Sequence, residues 1–168
     1  MSGGSATGAG QRVLFREVTP APAWIRVVGV LALAAAVLLI VDATLIDPSS
    51  FRGGGAVAAV IGAVVLIAVG ALALVVRIAV VVDETQVALA LAPVWRVRFA
   101  RNDVDSAKPV SIVARDYGGA GYRVLPAGKR GLLFTSGPGV AVVRRSTKIS
   151  YTVRTERATE LIAALYRR

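Results

Sequence analysis

The side chains able to do chemistry in this chain are few, and their spacing narrows them further. Carboxylates come close together twice, as Asp83-Glu84 and as Asp103 with Asp105. Such pairs run acid–base chemistry when a reacting partner is within reach and their environments push their pKa values apart. Both pairs fall in polar stretches without a partner base, so they read as solvated turn residues. The chain has no His and no Cys. That removes imidazole bases, thiolate nucleophiles, disulfides and the usual nitrogen and sulfur metal ligands. Two glycine-rich runs, Gly118–Arg123 and Ser136–Val142, share only composition with phosphate loops. Neither fits G-x-G-x-x-G between a strand and a helix, and Gly128-Lys129-Arg130 lacks the hydroxyl residue and upstream glycine of a P-loop. They read as tight β-turns, and no cofactor is implied.

Cations offer more. Lys129-Arg130 and Arg144-Arg145 with Lys148 form two basic loops. They are the candidate contacts to a partner or to lipid. Against anionic headgroups each near-surface charge can contribute about 1 kcal/mol. An acidic protein partner would use the same residues. Nucleic acid is disfavoured, because no aromatic residues interleave with the charges. Ordinary solubility and membrane topology account for the same cations without any ligand.

The elements that must position these residues are of two kinds. The chain has 168 residues, 55% hydrophobic and 18% charged, with a net charge of +10. Residues 56–76 form an uncharged run of 21 residues. At 1.5 Å per residue it is about 31 Å long, matching a bilayer core. Residues 27–41 form a shorter apolar run between Arg26 and Asp42. It reads as a retained helix over about 24–46, although cleavage after Ala43 as a signal peptide is the alternative. Asp42 reads as a cap at the external end, with a proton or ion site as the less favoured reading. Pro48 and three glycines in Asp47–Gly55 leave only a short loop, so the two helices, 24–46 and 56–76, make a hairpin. Ala32/Ala36 and Gly55/Ala59/Ala63 would allow close approach, although an alanine-rich chain shows such spacings by chance. Residues 1–22, opening on a Gly/Ser/Ala-rich run, are expected to form a disordered tail.

Charge sets the expected orientation. Residues 1–26 carry three Arg and one Glu, residues 27–76 one Arg and two Asp, and residues 77–168 sixteen basic and seven acidic residues. Basic flanks lie on the cytoplasmic side, so both termini are expected there, with the loop external and the inner membrane as location.

Beyond Arg77 the pattern turns to short β-like runs. Trp95, Val97 and Phe99 alternate with Arg96 and Arg98, and Ile149, Tyr151 and Val153 alternate with polar residues. Asn102–Pro109 reads as a polar connection. Thr155 reads as the N-cap of a last helix with Ala158, Leu161, Ile162 and Leu165 on one stripe. The expected fold is therefore a membrane α-helical hairpin followed by a mainly β domain, residues 77–168. That domain would be a sandwich or open barrel of seven or eight antiparallel strands capped by one helix. Strand parity matters to the basic loops. A single kinked strand over Val110–Leu125 gives seven strands and turns both loops toward the membrane. A real turn at Asp116–Gly121 gives eight and turns them away, and three glycines in six residues favour eight.

Two membrane helices leading into such a domain resemble bacterial membrane proteins with a pleckstrin-homology-like domain. More narrowly, Tyr117-Gly118-Gly119-Ala120-Gly121, Ser136-Gly137 with Gly139-Val140, and Glu160-Leu161 resemble a group marked by a Tyr-Gly-Gly-Trp-Gly turn. Ala120 stands where that group tends to have Trp, which weakens any shared binding role. The resemblance covers roughly residues 12–166 and implies no activity. The acidic first turn also departs from phosphoinositide-binding domains, so that role is not implied. The expectation is a non-enzymatic interaction or regulatory module at the membrane, with a protein partner or self-association. The alternatives are an anionic-lipid-sensing domain and, last, a small transporter-like or enzyme subunit.

Overall fold

The computed structural model describes residues 12–46 and 54–167. The expected loop over Asp47–Gly55 falls almost wholly outside them, as does the first half of the expected tail. The chain divides into two units, Pro20–Val76 on one hand and Met1–Thr19 with Arg77–Arg168 on the other.

In the first unit, α1 (Ala23–Val41) and α2 (Gly54–Val75) are both long and apolar enough to cross a membrane. Large apolar side chains such as Leu31, Leu38, Ile61 and Val64 are exposed on their outer faces, where a soluble core helix would be covered. Asp42 does not end the first helix. The helical path runs through it into one wider π-helical turn over Asp42–Ile46, and its N–H reaches back to the carbonyls of Leu38 and Leu39.

Small residues line the seam between the helices. Gly29 and Ala36 are buried on α1, Ala43 in the π-helical turn that continues it, and Ala63 and Gly70 on α2. Ala32 and Ala59 are half-buried beside them, whereas Gly55 is exposed. The spacing is seven residues, the repeat of left-handed helix pairs, rather than four. Closest approach comes at two glycines. A Cβ on Gly70 would lie 2.8 Å from the Gly29 carbonyl oxygen and 2.6 Å from Leu33.

The second unit begins with a strand that corrects the expected tail. β1 (Val13–Pro20) pairs with β2 (Arg77–Asp83), and β3 (Gln86–Ala92) and β4 (Trp95–Ala100) complete a four-stranded sheet in the order β1-β2-β3-β4. Nothing local marks β1, because its partners lie far along the chain. Phe15 is buried under the Arg157 guanidinium, 5.0 Å from its ring centroid, and Glu17 accepts the hydroxyl of buried Thr155.

A five-stranded sheet follows. It contains β5 (Val104–Ile112), β6 (Gly121–Val124), β7 (Lys129–Leu133), β8 (Gly137–Arg144) and β9 (Ser150–Arg154), in the order β5-β8-β9-β7-β6. Eight strands thus follow the helices, and the turn near Asp116–Gly121 is real. It begins with a 3₁₀ turn over Ala114–Tyr117, and Gly118, Gly119 and Gly121 take positive φ angles that side-chain-bearing residues rarely adopt. This connection carries the chain from one edge of the sheet to the other. One consequence corrects the all-antiparallel expectation, since β7 pairs with β9 in parallel. β5 also takes up most of Asn102–Pro109, expected to be a connection. Its polar residues and Pro109 are tolerated because it is an edge strand.

The two sheets remain separate, with no strand shared between them, and do not close into a barrel. Ile78, Val80, Val87 and Leu89 from one and Leu132, Val140, Tyr151 and Val153 from the other are buried. Rings join the sheets: Trp95 stacks on Tyr122 at 4.1 Å between centroids, and Phe99 on Tyr151 at 5.8 Å. α3 (Ala158–Tyr166) adds buried Leu161, Ala164 and Leu165. Its N-cap is Arg157 rather than Thr155, whose hydroxyl instead accepts the Arg157 N–H at 3.0 Å.

Candidate interaction surface

The two basic loops are separated in sequence but meet in space. β8 and β9 are joined by a tight connection bearing Arg145 and Lys148. Because β7 runs parallel to β9, with Lys129 beside Ser150 and Arg130 beside Tyr151, both loops emerge at the same end of the five-stranded sheet. The Ser150 N–H donates to the Gly128 carbonyl at 3.1 Å and fixes the loops side by side. The same end holds the Asp83–Gln86 turn, because the Arg101 N–H donates to the Thr85 carbonyl at 2.8 Å. Within its sheet, Arg77 starts β2 at the opposite end from that turn.

The five candidate residues then divide by environment. Arg144 turns inward. Its Nε donates to Asp103 Oδ2 at 2.8 Å, its guanidinium lies 5.1 Å from the Phe99 ring centroid, and its side chain is only 20% exposed. Arg130 lies over Tyr151, 5.6 Å from the ring centroid, and is half-buried. Arg145 and Lys148 remain 65% and 70% exposed while pairing with Asp105 at 3.7 and 3.1 Å. Lys129 is exposed. Three cations therefore face outward from two loops, and two arginines brace the loops against the aromatic cluster.

The carboxylates that hold the β8–β9 loop, Asp103 and Asp105, correct the expectation that they are merely solvated turn residues. Asp103 accepts from the Ser146 hydroxyl and from its backbone N–H, each at 2.8 Å, as well as from Arg144. The two Ser146 hydrogen bonds, with help from the Arg144 guanidinium, hold its carboxyl below the usual carboxylate range against a push upward from burial. Burial also pushes Asp83 upward. Hydrogen bonds from the Thr85 and Gln86 N–H groups and the Thr85 hydroxyl, with the Arg101 charge, outweigh it and hold Asp83 low. Asp103 and its partners are more than forty residues apart in the chain, so no local pattern announces them. Among the described residues no three metal-ligating side chains converge.

Comparison with known proteins leaves the site to its own geometry, since no family model, curated protein or solved structure matches this chain.

Proposed function

We propose that the protein is a two-helix integral membrane protein whose β domain, built in the manner of a pleckstrin-homology-like domain, docks an acidic partner protein at the cytoplasmic face of the inner membrane. The observation that carries this reading is the convergence of Lys129, Arg145 and Lys148 at one end of the β domain. Asp103 and Asp105 support a protein partner over a lipid surface. They fix the loop geometry and offset part of its charge, which gives a shaped, mixed surface rather than a bare cationic one.

Topology is supported separately. β1 precedes the helices and β2 follows them, yet they are neighbours in one sheet. The flanks of the hairpin therefore share one side of any membrane it crosses. Signal cleavage after Ala43 would remove β1, so the pairing favours a retained first helix.

The test uses full-length protein carrying Lys129→Glu, Arg145→Glu and Lys148→Glu, purified from membranes and also reconstituted in nanodiscs. We expect loss of a copurifying acidic protein with unchanged thermal behaviour in discs of neutral or phosphatidylglycerol-containing lipid. A triple variant that keeps its partners but loses a phosphatidylglycerol-dependent stabilisation would transfer the reading to anionic lipid.

A further inference from the structure

Antiparallel sheets with one solvated face usually carry polar side chains on it. The four-stranded sheet breaks that pattern. Its buried face holds large residues, Ile78, Val80 and Val82 on β2 and Val87, Leu89 and Leu91 on β3. The opposite face of the same strands holds Ala79, Val81, Ala88, Ala90 and Ala92, all partly exposed. The result is a shallow floor of small apolar side chains.

Arginines stand at its margins. Arg16 on β1 and Arg96 on β4 flank a furrow of about 410 Å³, and Arg77 lines it at the start of β2. Strand register places Ala79, Ala90 and Arg96 in one row across the sheet, and Val81, Ala88 and Arg98 in the next. No carboxylate lines the furrow. Among the described residues, none of these four arginines is held in an ion pair.

Dimensions identify the occupant. Strand spacing of about 4.8 Å puts β1 and β4 about 14 Å apart, and a helix with its side chains is about 10–12 Å across. Arg96 and Arg98 repeat at about 7 Å along β4, close to the ~6 Å between side chains one turn apart on a helix. We propose that this face binds an amphipathic α-helix of another protein, its small or apolar stripe on the alanine floor and its acidic flank against Arg96 and Arg98. Other occupants fit less well. A bilayer surface would need large apolar side chains free to insert; Trp95 at the furrow's end is stacked on Tyr122, which leaves Val18 and Val81 as the largest apolar side chains on offer. A second copy would set cations against cations. Residues 1–11 of this chain carry no acidic residue to offer. The surface is distinct from the basic loops, so this inference goes beyond the function proposed above.

The experiment installs photoreactive benzoylphenylalanine at Ala90 of the full-length protein in native membranes. After irradiation, mass spectrometry maps the crosslinked segment. We expect a protein adduct on an acidic amphipathic helix, reduced at least tenfold by Arg96→Glu with Arg98→Glu and unaffected by charge reversal at Arg145 and Lys148. Protease resistance of each variant checks folding, and Ala88 serves as the probe site if the Ala90 variant is protease-sensitive. Adducts confined to phospholipid, to a second copy or to a segment without acidic residues would overturn the proposal. So would the absence of any adduct while the same probe at Val64 labels lipid.

Discussion

Asp103 and its partners show how a single carboxylate organises a surface that its neighbours in sequence do not suggest. Its carboxyl is held below the ordinary range, so the stability it confers is complete above the unfolded value, roughly pH 3.9, and is lost as pH falls through the lower folded value. Asp83 acts in the same direction. Asp103→Asn should therefore make the acid limb of the thermal-stability profile shallower below about pH 4, leaving the parts from Asp83 and from Glu160, whose carboxyl the Arg157 hydrogen bond holds low. An acid limb as steep as that of the unmodified protein would rule this out. A second prediction concerns Gly131, where an added Cβ would meet the Tyr117 ring at 2.5 Å. Gly131→Ala should cost about 1–3 kcal/mol, the usual penalty of overpacking. Adding Tyr117→Ala should recover part of it, because the ring no longer blocks the methyl group; a denaturant titration of the single and double variants reads both. The basic residues were legible in the sequence as a class, because charge is visible without a fold. Which of them face solvent was not legible, since that depends on Phe99, Tyr151 and Asp103 arriving from other strands.

At the scale of elements, the helices were the most legible part, because an uncharged run of bilayer length needs no tertiary partner to be recognised. The seam between them was only half legible. Ala32, Ala36, Ala59 and Ala63 were readable as small residues, but Gly29 and Gly70, where the backbones come closest, belong to a seven-residue spacing. Replacing Gly70 with Leu should force the helices apart at that point. The chain has no cysteine, so Ala36→Cys with Ala63→Cys gives a clean readout. We expect ready disulfide formation in the otherwise unmodified hairpin and a several-fold slower reaction with Gly70→Leu added. Equal rates would mean that the glycine contact does not set the helix separation. β1 was illegible for the opposite reason. Phe15 is its only fully buried residue, and what holds the strand lies on β2 and near Thr155 and Arg157. The alanine rows of β2 and β3 were in plain view, yet a strand read alone does not reveal which alternate set is covered.

For the whole molecule, the proposed topology makes a direct prediction. With no native cysteine to label, Ser5→Cys and Lys148→Cys should react with a membrane-impermeant maleimide only after cells are opened, and Ser50→Cys in intact cells. Labelling of Ser5→Cys and Lys148→Cys on opposite sides would contradict the pairing of β1 with β2. That pairing also bears on how the protein is made. β1 leaves the ribosome more than fifty residues before its neighbour and, under the proposed topology, waits while both helices are threaded into the bilayer. A chain in which only one helix inserts strands β1 across the membrane from β2 and leaves a hydrophobic sheet edge bare, the kind of edge that invites aggregation and proteolysis. Under the proposed topology, completion of the sheet thus reports that the two helices have met the same fate at the membrane, and a half-inserted chain is marked by its unfinished sheet.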